Sequence, residues 1–358
     1  ITVRQLEEEK NAAFKKGLRF NISTGAAREE EKEIYTGRDT MMQLLQEMSM
    51  DDSYTPEHGK TMFELLIPPE FKDQIKRQNN INWIVDKHTA SYPWEMLQDS
   101  TVGNARPISV NTPMIRQLAT RDFRISIKPV TEKTALVIGE PDLEDTKLAL
   151  PSARAEANIV SSLLTQSGYA QPFPNMIGSK AAEILKAIFN GEYKILHMSG
   201  HGIFSTIEGQ TNGMLIGKNA YLTTAEINQM SAVPELVFMN CCYLGAMDAN
   251  TEAYYRNRYQ LAANIGTQLI EIGVKAVIVA GWPVNDDAAL VFAEEFYKHL
   301  LSGETFSRAV LNARKKIYDD FPITNTWGAY QCYGDPLYRL HSEGSVAPES
   351  APFIVNTE

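Results

Sequence analysis

The clearest pattern along the chain is a set of short, mainly apolar runs, each closed by a turn or a polar residue. Thr134–Gly139 (TALVIG), Tyr193–Met198 (YKILHM), Leu236–Asn240 (LVFMN) and Ala276–Ala280 (AVIVA) are of strand length. They lack the alternation of a half-exposed strand, so they read as buried strands of a parallel sheet. Between them the apolar spacing changes to a helical one. Ser152–Gln166 carries Ile159, Val160, Leu163 and Leu164 on one stripe. Ser179 is placed to cap a helix that runs through Phe189 and ends at Asn190-Gly191. Further helices are predicted over Leu261–Ile272, Asp287–Leu301 and Thr305–Tyr318, and a hairpin over Met214–Leu222, with Thr223 or Thr224 capping a short helix after it. Buried strands alternating with helices predict an α/β domain over residues 131–342, a mainly parallel sheet with helices on both faces.

The first third of the chain is less regular. Residues 1–60 read as a polar, helical N-terminal extension. Helices are expected over Gln5–Lys16 and Thr40–Met48, a solvated acidic face over Glu29–Glu33, and a loop over Asp51–Gly59. Residues 61–130 read as an α+β portion packed on the α/β domain. It holds the apolar run Met62–Ile67 ended by two prolines, a strand at Ile81–Asp86, and a turn that buries Trp94 and Leu97. Phe123–Val130 alternates and contains Pro129, so an edge element is expected there. Residues 343–358 read as a flexible tail.

Composition narrows the function. The 358 residues carry a net charge of −10 and no basic stripe, so no direct nucleic-acid partner is expected. No apolar run reaches the roughly 18 residues of a membrane span, and no signal peptide is present, so no membrane association is expected. Beginning at Ile1, the sequence reads as a trimmed module of a longer protein. The three cysteines are an adjacent pair, Cys241 and Cys242, and the distant Cys332. That makes a poor disulfide framework and a poor zinc site, and points to a reducing cytoplasm. No phosphate-binding glycine loop and no EF-hand loop occurs, so no cofactor and no metal is expected.

Two strand ends carry reactive residues. One runs into His197-Met198-Ser199-Gly200-His201-Gly202, the other into Asn240-Cys241-Cys242. Chemistry in open parallel sheets collects beyond the carboxyl ends of the strands. If these two strands are neighbours, an imidazole and a thiol meet there, as a thiol nucleophile requires. Glycines beside the histidine let a substrate backbone approach and can offer an N–H to a developing oxyanion. Each feature also has a plainer reading. A cysteine at a strand end is commonly an inert part of the core, and His197, inside its strand, reads as a packed core histidine. His201, between two glycines in a loop, is hard to explain by packing.

Several ordered motifs together resemble the CHAT domain, a branch of the caspase-like clan of cysteine proteases. They are LALPSARAEANIVSSLL, ILHMSGHG, LVFMNCCYLG, GVKAVIVAGWPVNDDAALVFAEEFYKHLLSG and WGAYQCYGDP, spread over residues 60–340. The resemblance implies a caspase-like sheet, with His201 as the catalytic histidine and Cys242, three residues before Gly245, as the nucleophile. Cys241 then fills the small-residue slot. The backbone N–H groups of Gly202 and Cys242 would hold the oxyanion. Asn240, two before the nucleophile, would line the substrate pocket, and Asp286 and Asp142 could make that pocket acidic, favouring a basic side chain. For Asp286 the plainer role is that of a helix cap. Met247–Gln260 is the expected site of a processing loop, with Arg256 and Arg258 as candidate cleavage points. The implied activity is cleavage of a protein or peptide partner, switched on by a sensor or repeat module in a bacterial defence or cell-death system. The alternative is an inactive CHAT-like scaffold that binds other proteins.

Overall fold

The computed structural model describes residues 1–5, 17–23, 29–35, 53–99, 106–120, 124, 127–174, 176–203, 213–243, 251–282 and 284–340; the side chains of 29, 203, 242, 243 and 251–261 lie outside that description. In chain order the elements are β1 (Thr2–Gln5), β2 (Leu18–Ser23), β3 (Glu29–Ile34), α1 (Pro56–Leu66), α2 (Pro69–Lys76), β4 (Ile81–Val85), α3 (Ile108–Asn111) and β5 (Met114–Leu118). The second part continues with β6 (Ala135–Gly139), α4 (Pro151–Gln166), β7 (Met176–Ile177), α5 (Ala181–Asn190), β8 (Ile195–Ile203), β9 (Gly213–Gly217), β10 (Ala220–Leu222), α6 (Thr224–Asn228) and β11 (Leu236–Tyr243). It closes with α7 (Thr251–Ile272), β12 (Ala276–Ala280), α8 (Asp286–Leu301), α9 (Phe306–Asp320), α10 (Thr326–Ala329) and β13 (Tyr330–Gly334).

All the described strands form one sheet in the order β7-β6-β8-β11-β12-β13-β5-β4-β1-β2-β3, and the β9-β10 hairpin pairs with the far end of β8. Strands β6, β8, β11 and β12 are parallel, and β13 runs against β12. The apolar runs fall in this parallel block, where β6 and β12 are buried along their whole length. Burial on both faces is why these runs do not alternate. One face is covered by α4, α8 and α9, with Phe238 of β11 packed on Phe296 and Tyr297 and Tyr330 stacked on Phe292. The other face is covered by α7. Its Gly266 lies so close to Tyr333 that an added Cβ would come within 2.5 Å of the ring.

The α/β architecture with helices on both faces is as expected, but several local features differ. The described part of residues 1–60 is not a helical extension: it adds β1, β2 and β3 to the sheet and begins helix α1. The acidic run is strand β3, paired to β2 with Arg19 and Glu33 bonded across the pair. The expected helices at Gln5–Lys16 and Thr40–Met48 fall almost entirely outside the described residues, as does the tail. The end of the expected loop at Asp51–Gly59 and the run after it form helix α1, started by Pro56, which loses no hydrogen bond in the first turn. Its buried Gly59, Met62, Phe63 and Leu66 recur at helical spacing. The described residues of 123–130 form no strand, and Ile127 is exposed. Lys180, not Ser179, precedes α5, and the Glu183 carboxylate accepts its N–H.

The two halves of the sheet join at β13 and β5, where Tyr333 is in register with Arg116. A buried ion cluster lies at this seam. Glu95 bonds the Arg116 guanidinium through both oxygens, and Arg314 Nη2 stands 3.5 Å from Glu95 Oε1. Both arginines are fully buried, and backbone carbonyls of Ala90, Tyr92, Met114 and Tyr330 accept further N–H groups from them.

Candidate active site

Strands β8 and β11 both run further than their apolar segments suggest. The ladder between them continues from Leu236↔Ile195 to Tyr243↔Gly202. The glycine-rich end of β8 stays in the sheet because it has partners on both edges, β11 on one and Gly213–Met214 of β9 on the other. His201 and Cys242 therefore sit in strand ends, not in loops, and Cys242 is in register with His201. Neighbouring strands lie about 4.8 Å apart, so the fold brings the two positions side by side at the carboxyl edge of the parallel block.

His201 is 9 % exposed, and its Nε2 is hydrogen-bonded to the Leu148 carbonyl at 2.9 Å. A carbonyl can only accept, so Nε2 carries the proton and the neutral ring keeps Nδ1 as its basic nitrogen. Burial lowers the pKa of His201 below the ordinary value of 6.5, and the bond to Leu148 and the charges of Asp286 and Glu140 oppose the fall. Leu148 sits in the strained loop that leads into α4. Glu140 and Glu144 both adopt left-handed backbone, at φ 42° and 59°. The Glu140 carboxylate ties this loop to the helix, accepting the Leu150 N–H at 2.9 Å and bonding the Arg154 guanidinium.

The other expected site residues are placed differently from one another. Gly202 is buried between β11 and β9, and an added Cβ there would come within 3.0 Å of the Cys241 carbonyl oxygen. Cys241 is half-buried and packs against the core. Asn240 is buried, with Nδ2 donating to Glu156 Oε2 at 2.6 Å and Oδ1 accepting from the Tyr330 hydroxyl at 3.3 Å. Its amide is thus engaged in the core. Asp142 is half-buried and closes a turn by accepting the Glu144 N–H at 3.0 Å. Asp286 is exposed in the first turn of α8, where Ser152 Oγ donates to it at 3.2 Å. The helix cap is Asn285, whose side chain accepts the Ala288 N–H, so Asp286 is not consumed by capping. Arg256 and Arg258 lie within helix α7. Cys332 is fully buried, and burial pushes its thiol up to about 12. Among the described residues no group of three His, Cys, Asp or Glu could hold a metal ion, and no helix is long and apolar enough to cross a membrane.

Three parts of this arrangement escape a reading of the sequence. The Leu148 carbonyl is a main-chain group and carries no residue signal. Glu140 would stand out only once its backbone strain is known. Glu156 did leave a trace, a glutamate one helical turn before Val160 on the apolar stripe of α4.

A family model described as the CHAT domain matches residues 56–335. Among solved structures, the chain is similar to the Arg specific cysteine proteinase gingipain R, at 13% identity and a TM-score of 0.50, over 84% of this chain and 75% of that one. It is also similar to a complex of the pro- and mature domains of a Porphyromonas gingivalis enzyme (13%, 0.46, 83% and 76%). Separase in its Saccharomyces cerevisiae complex with securin is a third (16%, 0.40, 71% and 15%). No curated protein matches the chain. At 13% identity the likeness to gingipain R shows the α/β fold alone, and function has to be argued from the site.

Proposed function

Because the chain belongs to the CHAT domain family, we propose that it is a cysteine endopeptidase acting through His201 and Cys242. The observation that carries this reading is the register of β8 and β11, which sets Cys242 beside His201 at the carboxyl edge of the sheet. Nδ1 of His201 takes the thiol proton of Cys242, and the thiolate sulfur attacks the scissile carbonyl carbon. The backbone N–H groups of Cys242 and Gly202 receive the oxyanion. As the C–N bond breaks, the imidazolium returns its proton to the leaving amine. Water, deprotonated by His201, then splits the thioester and releases the free thiol and the acid product. The bond from Nε2 to Leu148 holds the ring in the tautomer these steps need. The lowered pKa keeps the ring neutral, and so basic, near pH 7.

The substrate in this proposal is a protein partner with a basic residue before the cut. Asn240 and Asp142 are held by their own neighbours, which leaves Asp286 as the exposed acid near His201. Activation by a sensor or repeat module, processing near Arg256 or Arg258, and a role in bacterial defence or cell death belong to the same proposal.

A peptide-library digest tests the reading. Wild-type protein should cleave after Lys or Arg, and Cys242→Ala and His201→Ala should each abolish cleavage without a change in thermal unfolding. No cleavage by wild-type protein, together with equally slow alkylation of all three cysteines, would instead identify a binding scaffold. Cleavage that survives Cys242→Ala and is lost in Cys241→Ala would move the nucleophile by one residue.

A further inference from the structure

Three alternate side chains of β8 are held by a single helix and its lead-in. His197 Nε2 lies 3.1 Å from Glu156 Oε1, Ser199 Oγ donates to the Ala153 carbonyl at 2.9 Å, and His201 Nε2 is bonded to the Leu148 carbonyl at 2.9 Å. A spacing of two puts these three side chains on one face of the strand. Their partners step back along the chain, 156, 153, 148, so α4 and its loop run alongside β8 in the opposite sense. Strand β11 is gripped by the same helix, since Asn240 Nδ2 donates to Glu156 Oε2 at 2.6 Å. One carboxyl group therefore faces both strands that end in the proposed dyad, one oxygen toward each. The outer ends of the cluster are closed by tyrosines. The Tyr297 hydroxyl and His197 Nδ1 share a bond of 3.3 Å, and the Tyr330 hydroxyl donates to Asn240.

Packing alone does not account for this cluster. Glu156 is 2 % exposed, His197 0 % and Asn240 6 %. Burying a carboxyl group is costly even when it is partnered. Glu156 Oε1 and His197 Nε2 stand within ion-pair distance but off hydrogen-bond geometry, and neither has another hydrogen-bond partner among the described residues. Val160 and Leu164, one and two turns further along the stripe, fill the same kind of position with no polar atom. What an apolar residue could not do at 156 is face β8 and β11 at once with polar atoms, one oxygen accepting from Asn240 and the other at ion-pair distance from His197.

Resting on the reading of His201 and Cys242 as the dyad, we propose that Glu156 is a positioning residue that fixes the ends of β8 and β11 against α4 and so sets how His201 and Cys242 meet. Asn240 is its grip on β11, two residues before the nucleophile. Glu156 reaches neither substrate nor thiol, so its effect falls on the alignment of the dyad and not on substrate binding.

The test uses Glu156→Gln, Asn240→Asp, the double variant and a packing control, Val160→Ala, in the full chain. Glu156→Gln keeps the shape but turns an N–H2 donor toward either Asn240 or His197. Asn240→Asp alone sets two carboxyl groups against each other at 2.6 Å spacing. The double variant exchanges the two groups and restores one hydrogen bond of reversed polarity. Each single variant should lower kcat at least tenfold with KM within about twofold, and should speed amide hydrogen exchange at 199–203 and 239–243. The double variant should recover kcat to within about threefold of wild type. Val160→Ala should lower Tm yet leave kcat within about twofold and the exchange of those two strand ends unchanged. Single variants with wild-type kcat and exchange, or a Val160→Ala protein that shows the same loss, overturn the proposal. Exchange also decides it apart from catalysis. A wild-type protein that cleaves nothing refutes the peptidase reading, whereas unchanged exchange in Glu156→Gln refutes the grip.

Discussion

Two glycines flank His201, and adding a methyl group to each should have unequal consequences. Gly202 does not adopt left-handed backbone, so its role is one of space. A Cβ there would lie 3.0 Å from the Cys241 carbonyl oxygen and 3.2 Å from Cys241 Cβ, against about 3.4 Å for ordinary contact. The obstacle is backbone of β11, one residue before the nucleophile, and can yield only if β8 and β11 separate by about 0.4 Å at that point. A misplacement of 1 Å can cost about 10²-fold, so on a logarithmic scale 0.4 Å corresponds to about sixfold. At Gly200 a Cβ would meet Met214 Cε at 2.6 Å and Pro141 Cδ at 3.2 Å. Met214 Cε is the free end of an unbranched side chain and can swing aside. Gly202→Ala should therefore lower kcat about five- to tenfold, and Gly200→Ala should change it by less than about twofold. Both should unfold near the wild-type temperature. Steady-state kinetics on the best library peptide, with thermal unfolding alongside, reads all of this. Equal losses in the two variants, or a fully active Gly202→Ala protein, would refute the claim that the spacing of β8 and β11 controls the rate.

Four other outcomes come from buried or shielded groups. Glu95→Gln should leave two buried guanidinium groups without their counter-charge, at a cost of about 3–5 kcal/mol. With an unfolding entropy of about 2.1 cal/mol/K per residue over 358 residues, that lowers Tm by about 4–7 °C; a shift under about 1 °C by calorimetry would show that the cluster does not stabilise the seam. Asp286→Asn removes an attraction for the His201 imidazolium, so the pKa of His201 should fall further and the acid limb of its NMR titration move to lower pH; a limb that stays put or moves up contradicts the assigned cause. The same depressed pKa means that unfolded chains bind the proton first, so this group should withdraw stability as pH falls below 6.5. Cys332, with its thiol raised to about 12 by burial, should resist iodoacetamide at pH 8 in the native protein and react once unfolded; mass spectrometry showing native labelling at the unfolded rate would rule that out.

How much was legible in the sequence depended on whether a signal was local. Strands β6, β11 and β12 were legible because burial on both faces leaves unbroken apolar runs such as AVIVA. Strand β5 (MIRQL) was not, since Arg116 and Gln117 break its run, and the partners that make a buried arginine tolerable, Glu95 and the Ala90 and Tyr92 carbonyls, lie elsewhere in the chain. Strand β2 did alternate, with Leu18, Phe20 and Ile22 buried, but its short run lies between an expected helix and an acidic run, in a stretch read as a polar, helical extension. Strand β3, EEEKEI, is polar on both sides because it is the edge of the sheet, and charge on an edge strand discourages pairing with other chains.

At the site, identity and geometry were recorded in different places. The candidates His201, Cys242 and Asp286 could be named because each falls in a motif that resembles the CHAT domain, at the end of a recognisable strand or the start of a helix. What aligns them is held by contacts of long range. Leu148 is 53 residues from His201, and Glu156 is 84 residues from Asn240. One is a main-chain carbonyl, and the other is a polar residue on a stripe that periodicity assigns to packing. The same logic explains why Asn240 was assigned to the substrate pocket. Its place two residues before the thiol gives no hint of which way its amide is engaged, and only the helix crossing above β11 decides that. If the proposed grip is right, a chain that keeps His201 and Cys242 should still lose the rate when the contact between α4 and the two strand ends is altered. That is the separation which kinetics on Glu156→Gln beside Cys242→Ala is able to resolve.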